Sequence, residues 1–136
     1  MKEIKMFEVA LARLDEYKKV KDTEEGDKIY NEVYDSLAGY KCTLFNKYVA
    51  AKERGNEFID LPECPCEDAI PEFVDCIREC GIDRITISSG WSGLVERMWI
   101  FVQCGCEIEG MVEVNSFGKN YETGEYEKMP AFLLAM

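Results

Sequence analysis

The chain contains no histidine. That absence removes the Ser–His–Asp and Cys–His forms of nucleophilic catalysis and every metal site that uses imidazole. There is also no apolar run approaching the roughly 20 residues needed to cross a bilayer. The first residues, MKEIKMFEVALARLDEYKK, alternate charge with apolar side chains and have no signal-peptide core. The expectation is a cytoplasmic protein without a membrane partner. Its seven cysteines, an odd number, are then reduced thiols rather than a disulfide framework.

Cations are scarce in one part of the chain only. The formal net charge is −11. Residues 1–54 hold 11 basic and 11 acidic side chains, whereas residues 55–136 hold 5 and 16. No basic footprint exists to displace counterions from a nucleic-acid backbone, so direct nucleic-acid binding is disfavoured. A protein partner with a basic surface is favoured, drawn in by the field of the acidic half.

What is present is enough to fold. The 136 residues are 47% hydrophobic and 12% aromatic, which suits one domain spanning 1–136 with its own core. Ile4, Phe7, Leu11, Leu14 and Tyr17 recur at helical steps and predict a helix over about 2–21. Asp22 or Thr23 caps a second helix that runs toward Gly55, and Gly39 breaks or bends this element, which leaves one helix or two open. Residues 56–66, NEFIDLPECPC, have two prolines and no period, and read as a loop. A helix over Glu67–Cys80 follows, ended by Gly81.

The remainder alternates strand and helix. Asp83–Ser88 reads as a half-buried strand, with Ile85 and Ile87 on its inner side. A helix over 92–104 carries Leu94, Val95, Met98, Phe101 and Val102 as its apolar face, capped by Ser92 or Ser89. Cys106–Asn115 is a second strand, and MPAFLLAM, after a TGEY turn, a last one. Two strands joined by a crossover helix form a parallel β-α-β unit. The last strand pairs as a hairpin, and Pro130 places it at an edge or delays its pairing. The fold class is α/β in the α+β sense: a helical N-terminal half (1–55), then a small mixed sheet (67–136) with at least part of one face wet.

Three constellations stand out. Asp68, Glu72, Asp75 and Glu79 fall at steps of four, three and four, in a narrow arc opposite Phe73 and Ile77. Their axial spacing would be about 4.5–6 Å, comparable to the roughly 3.4 Å charge spacing along a nucleic-acid strand. Such a row suits a basic groove. The turn Ser88, Ser89, Trp91, Ser92 joins a strand to a helix start, where α/β folds hold anions and ligands. It lacks the P-loop lysine and the GxGxxG spacing. Cys64, Cys66, Cys104 and Cys106 form two Cys-x-Cys pairs that would supply four thiolates if zinc were bound, although structural zinc sites use wider spacing. Glu107, Glu109 and Glu113 lie too close along one strand to suggest paired-carboxylate catalysis. No catalytic residue and no cofactor is expected.

The segment Ile85–Leu134 also resembles a family of small proteins from phages and mobile elements of gut Firmicutes. The matching features are SSxWS (Ser88, Ser89, Trp91, Ser92), a helix bearing Trp99 and Phe101, GMVEVNS, and TGEYEKxPAFL. The resemblance implies an accessory role in a mobile element and brings no activity with it. Together these readings predict an acidic, non-enzymatic protein that binds a basic surface of a host or element-encoded protein, as an anti-defence or regulatory inhibitor. The alternative is a small-ligand or enzymatic module built on the Ser88–Ser92 turn.

Overall fold

The computed structural model describes residues 1–63, 66–88 and 92–136. Three helices open the chain: α1 (Lys5–Lys19), α2 (Glu24–Ser36) and α3 (Tyr40–Arg54). α1 and α2 pair directly. The Thr23 hydroxyl accepts from Gly26 N at 3.1 Å and caps α2, while Glu24, Glu25 and Asp27 sit in its first turn. Gly26 is required by space, because a Cβ there would lie 2.2 Å from the Val20 carbonyl oxygen. Residues 24–54 form two helices and not one. Gly39 adopts φ +65° and separates α2 from α3. Gly55, at φ +70°, ends α3.

The sheet departs from expectation in two ways. First, Ile59–Leu61 is a strand, β1, and not part of a loop. All three of its residues are buried, so no alternation marks it. A 3₁₀ turn (Glu67–Ala69) and helix α4 (Ile70–Glu79) carry the chain from β1 to β2 (Arg84–Ser88), which lies parallel to it. This is the adjacent β-α-β unit. Second, α5 (Leu94–Gln103) does not join neighbouring strands. The strand order is β1-β2-β4-β3, with β4 (Tyr126–Ala135) inserted between β2 and β3 (Glu107–Lys119). β4 is antiparallel to both neighbours, so β2 and β3 run the same way without touching. The last strand is therefore central. Pro130 lies opposite Glu113 of β3, and the last described pair with β2 is Ser88 with Ala131.

β2 is also buried more completely than a half-wet strand. Thr86 is 0% and Ser88 2% exposed, as are Ile85 and Ile87 on the other face at 0%. The segment leading into β1 reaches the opposite edge strand, where Asn56 Nδ2 donates to Asn115 O at 3.0 Å and Asn115 N donates to Asn56 Oδ1 at 2.8 Å. Asn115 Nδ2 adds a 2.7 Å bond to the Arg54 carbonyl. These bonds satisfy the free edge of β3 at that point.

One continuous cluster of buried side chains runs from Ile4 to Leu134. Phe7 of α1 packs on Phe45 and Tyr48 of α3, with ring centroids 5.7 and 5.3 Å away. Tyr40 packs edge-on against Phe73 of α4 at 5.2 Å. Among the described residues no helix is long and apolar enough to cross a membrane.

Candidate functional site

The acidic row is built mainly by α4. Ile70, Phe73, Val74 and Ile77 turn inward, which leaves Glu72, Asp75 and Glu79 exposed on the outer side. Asp68 is exposed too, but it belongs to the preceding 3₁₀ turn. Three residues per turn put it out of register with the α-helical stripe, so the row is three carboxylates with a fourth displaced at its head. Pro71 in the first turn permits the switch from one helix type to the other.

Glu72, Asp75 and Glu79 line one wall of an open groove of about 550 Å³; the other wall is the α2–α3 turn and the start of α3, including Tyr40 and Lys41. Lys41 is the one cation in that lining. Among the described residues no ion pair joins it, or any other cation, to the three carboxylates. One lysine against three carboxylates leaves the groove acidic.

The Ser88–Ser92 turn divides. Ser88 is buried, and its hydroxyl donates to the carboxylate of Asp60. Ser92 is exposed, and its carbonyl accepts from the Arg97 guanidinium. It does not cap α5; Gly93, at φ +63°, holds that position without a side-chain bond. Ser89 and Trp91 lie outside the described residues. An anion approaching Ser88 would meet a carboxylate instead of a free donor.

Asp60 is the residue that sequence reasoning passed over. It sits on β1 at 6% exposure, opposite Thr86, whose Oγ1 donates to Asp60 Oδ1 at 2.9 Å. Burial pushes its carboxyl above the ordinary carboxylate range, against the pull of the Thr86 and Ser88 hydroxyls and the more distant Arg54 and Lys47. The signal available was a single acid inside the apolar run Phe58–Leu61.

Of the cysteines considered for zinc, Cys64 lies outside the described residues, Cys66 is exposed, Cys104 is half-buried and Cys106 is buried. Among the described residues no group of three or more Cys, Asp or Glu side chains is placed to hold a metal ion. Burial, with Cys76 beside it, raises the Cys80 thiol to about 11, and burial also raises Cys76 and Cys106. These thiols are protonated at neutral pH and poor nucleophiles. A hollow of about 240 Å³ lies between the N-terminus and the starts of β1 and β2. The Lys2–Asp83 ion pair at 2.5 Å lies in its wall.

Fold and surface thus define a class: an α+β protein with a four-stranded mixed sheet and an acidic outer helix. The chain belongs to a family defined by a domain of unknown function, DUF7698, which matches residues 43–136. The match begins inside α3 and takes in the whole sheet, leaving α1 and α2 outside it. No curated protein and no solved structure matches the chain.

Proposed function

We propose that the protein acts by binding, presenting its acidic side to a basic surface on another protein. The observation that carries this is the α4 row. Glu72, Asp75 and Glu79 project together, exposed and without ion-pair partners among the described residues, beside a single lysine. Carboxylates held this way generate a local field that steers a cationic surface into register. The buried thiols and the missing histidine leave few groups suited to chemistry. The likeness of residues 85–134 to proteins of phages and mobile elements supports an accessory role there, as an inhibitor of a host nuclease or a regulator that works from a basic groove. Cytoplasmic action follows from the same reading.

The test is kinetic. A partner recovered from host lysate should associate with the full chain at a rate that falls steeply with salt. The Glu72→Lys/Asp75→Lys/Glu79→Lys variant should lower that rate by about ten-fold and flatten its salt dependence. An unchanged rate and slope in the triple variant would remove the row from the interface.

A further inference from the structure

The helical layer stops one strand short of the sheet's edge. Ile108 lies opposite Leu134 and Met111 opposite Phe132, and residues directly opposite each other point to the same face. Leu134 is fully buried, yet Ile108 is 47% and Met111 59% exposed. On that face β3 has no helix over these two side chains.

α5 supplies the other wall. Met98 and Phe101 turn into the core, and Ile100 and Cys104 pack against it on one flank. The opposite flank carries Val95, Trp99 and Val102 at 79%, 62% and 39% exposure, one above another at helical spacing. α5 touches both α4 and β3. With the right-handed sense of β-α-β connections, the packed flank faces α4 and the bare flank faces β3. Five apolar side chains from a helix and a strand therefore border one open step. Glu96 and Glu113 stand exposed around it, and neither is in an ion pair among the described residues.

We propose that this step seats an amphipathic helix of a partner protein, apolar on one side and carrying lysine or arginine along its edge. It would lie beside α5 as the third helix of the layer, with Trp99 as the anchor. The proposal rests on the acidic binding reading and deepens it: the α4 row steers, and the step holds. Charge selects the occupant. A second copy would bring Glu96 and Glu113 against their own kind on a chain of net charge −11. A basic edge would meet carboxylates that have no cation of their own. Extension of the sheet along β3 is obstructed where Asn56 already occupies the edge at Asn115.

The probe is a synthetic amphipathic Leu/Lys helical peptide, with a Leu/Glu peptide of the same pattern as control, bound to the full-length chain and followed by surface kinetics. Val95→Glu/Met111→Glu alters only exposed positions, and circular dichroism checks its fold; Trp99→Ala is a second, gentler variant. Both should raise the dissociation rate of the Leu/Lys peptide by about ten-fold. The α4 triple-lysine variant should slow association and leave dissociation alone. Unchanged dissociation in both step variants, with association still slowed by the α4 variant, overturns the step and leaves the acidic reading standing. Equal binding of the Leu/Glu peptide overturns the charge argument that both share. A dimer seen by sedimentation and broken by Met111→Glu assigns the step to a second copy, which also overturns the proposal.

Discussion

The two halves of the chain use their cations differently. In residues 1–54 basic and acidic side chains find each other: Arg13 bridges Glu16 and Glu32, Lys18 meets Asp15, and Lys52 reaches Glu8 at 2.5 Å. The Tyr48 hydroxyl donates to the same Glu8 oxygen, and together these partners hold the Glu8 carboxyl below its usual range. In residues 55–136 there are five cations, and among the described residues only Arg84 of these pairs with a carboxylate, Glu109 at 2.6 Å. Arg78 donates to the Met136 carbonyl at 2.9 Å, and Arg97 to that of Ser92. Lys128 is bonded to the Asn115 side chain, and Lys119 lies 5.4 Å over the Tyr126 ring. The second half is thus more acidic in effect than its composition says. Its few cations are committed to holding backbone and neighbouring side chains, so the exposed carboxylates of α4 and β3 keep their field.

The sharpest way to break this comparison is to ask whether the halves are separable at all. Phe7 in α1 and Phe101 in α5 are both 0% exposed, in one cluster. Phe7→Ala and Phe101→Ala should each cost about 3–5 kcal/mol, a large share of the roughly 5–15 kcal/mol typical of a domain. Both variants should unfold in one transition in urea, followed in parallel by circular dichroism and by tryptophan fluorescence, whose two reporters both lie in the second half. The family match begins at residue 43, which makes the alternative concrete. If α1 and α2 are only an appendage, Phe7→Ala will melt helix in a separate early step while the fluorescence midpoint stays fixed.

Asp60 gives the next largest effect and a test confined to the acidic half. Its folded carboxyl is raised by burial, so the folded state binds that proton more tightly than the unfolded chain does. The contribution is fully favourable below the unfolded value near ~4 and is lost as pH rises through the folded value. At neutral pH the buried charge therefore destabilises. Asp60→Asn retains an acceptor for Thr86 and removes the charge. Its Tm should exceed that of the unmodified protein at pH 7, by roughly 4 °C for each kcal/mol regained. The advantage should shrink as pH falls toward 4. A gain that is constant with pH would mean that Asp60 is not the group titrating.

Local chemistry was legible wherever one residue type has one job. Gly55 as a stop and the Asp22–Thr23 pair as a cap were readable, because each acts on its immediate neighbours, whereas Gly39 marked a break or a bend without deciding between them. The mixed α+β architecture followed from period alone. Three things did not. β1 spans three residues, Ile59–Leu61, all buried, too few to show a period and followed at once by Pro62. The insertion of β4 between β2 and β3 is a long-range choice with no local mark, and Pro130, which suggests an edge, sits opposite Glu113 in a strand that is central. The apolar step was hidden for a related reason. Val95 and Val102 read as core-facing from helical spacing, but they lie on the flank of α5 that α4 does not cover. Which flank is bare depends on sheet order.

Helix starts offer the mildest test, and it again divides the molecule. α2 opens on a side-chain cap, the Thr23 hydroxyl bound to Gly26 N at 3.1 Å. α5 opens on Gly93 in the left-handed region, with no side-chain bond from Ser92. Thr23→Ala should therefore cost about 1 kcal/mol, whereas Ser92→Ala should fall within about 0.5 kcal/mol of no effect, as exposed substitutions usually do. Chemical denaturation of the two variants side by side measures both. A cost for Ser92→Ala equal to that of Thr23→Ala would show that its hydroxyl caps α5 in solution, and the turn would then present a different set of groups from the one described. A stability-neutral Ser92→Ala has a second use: any ligand effect seen in that variant would belong to the turn itself and not to a weakened helix.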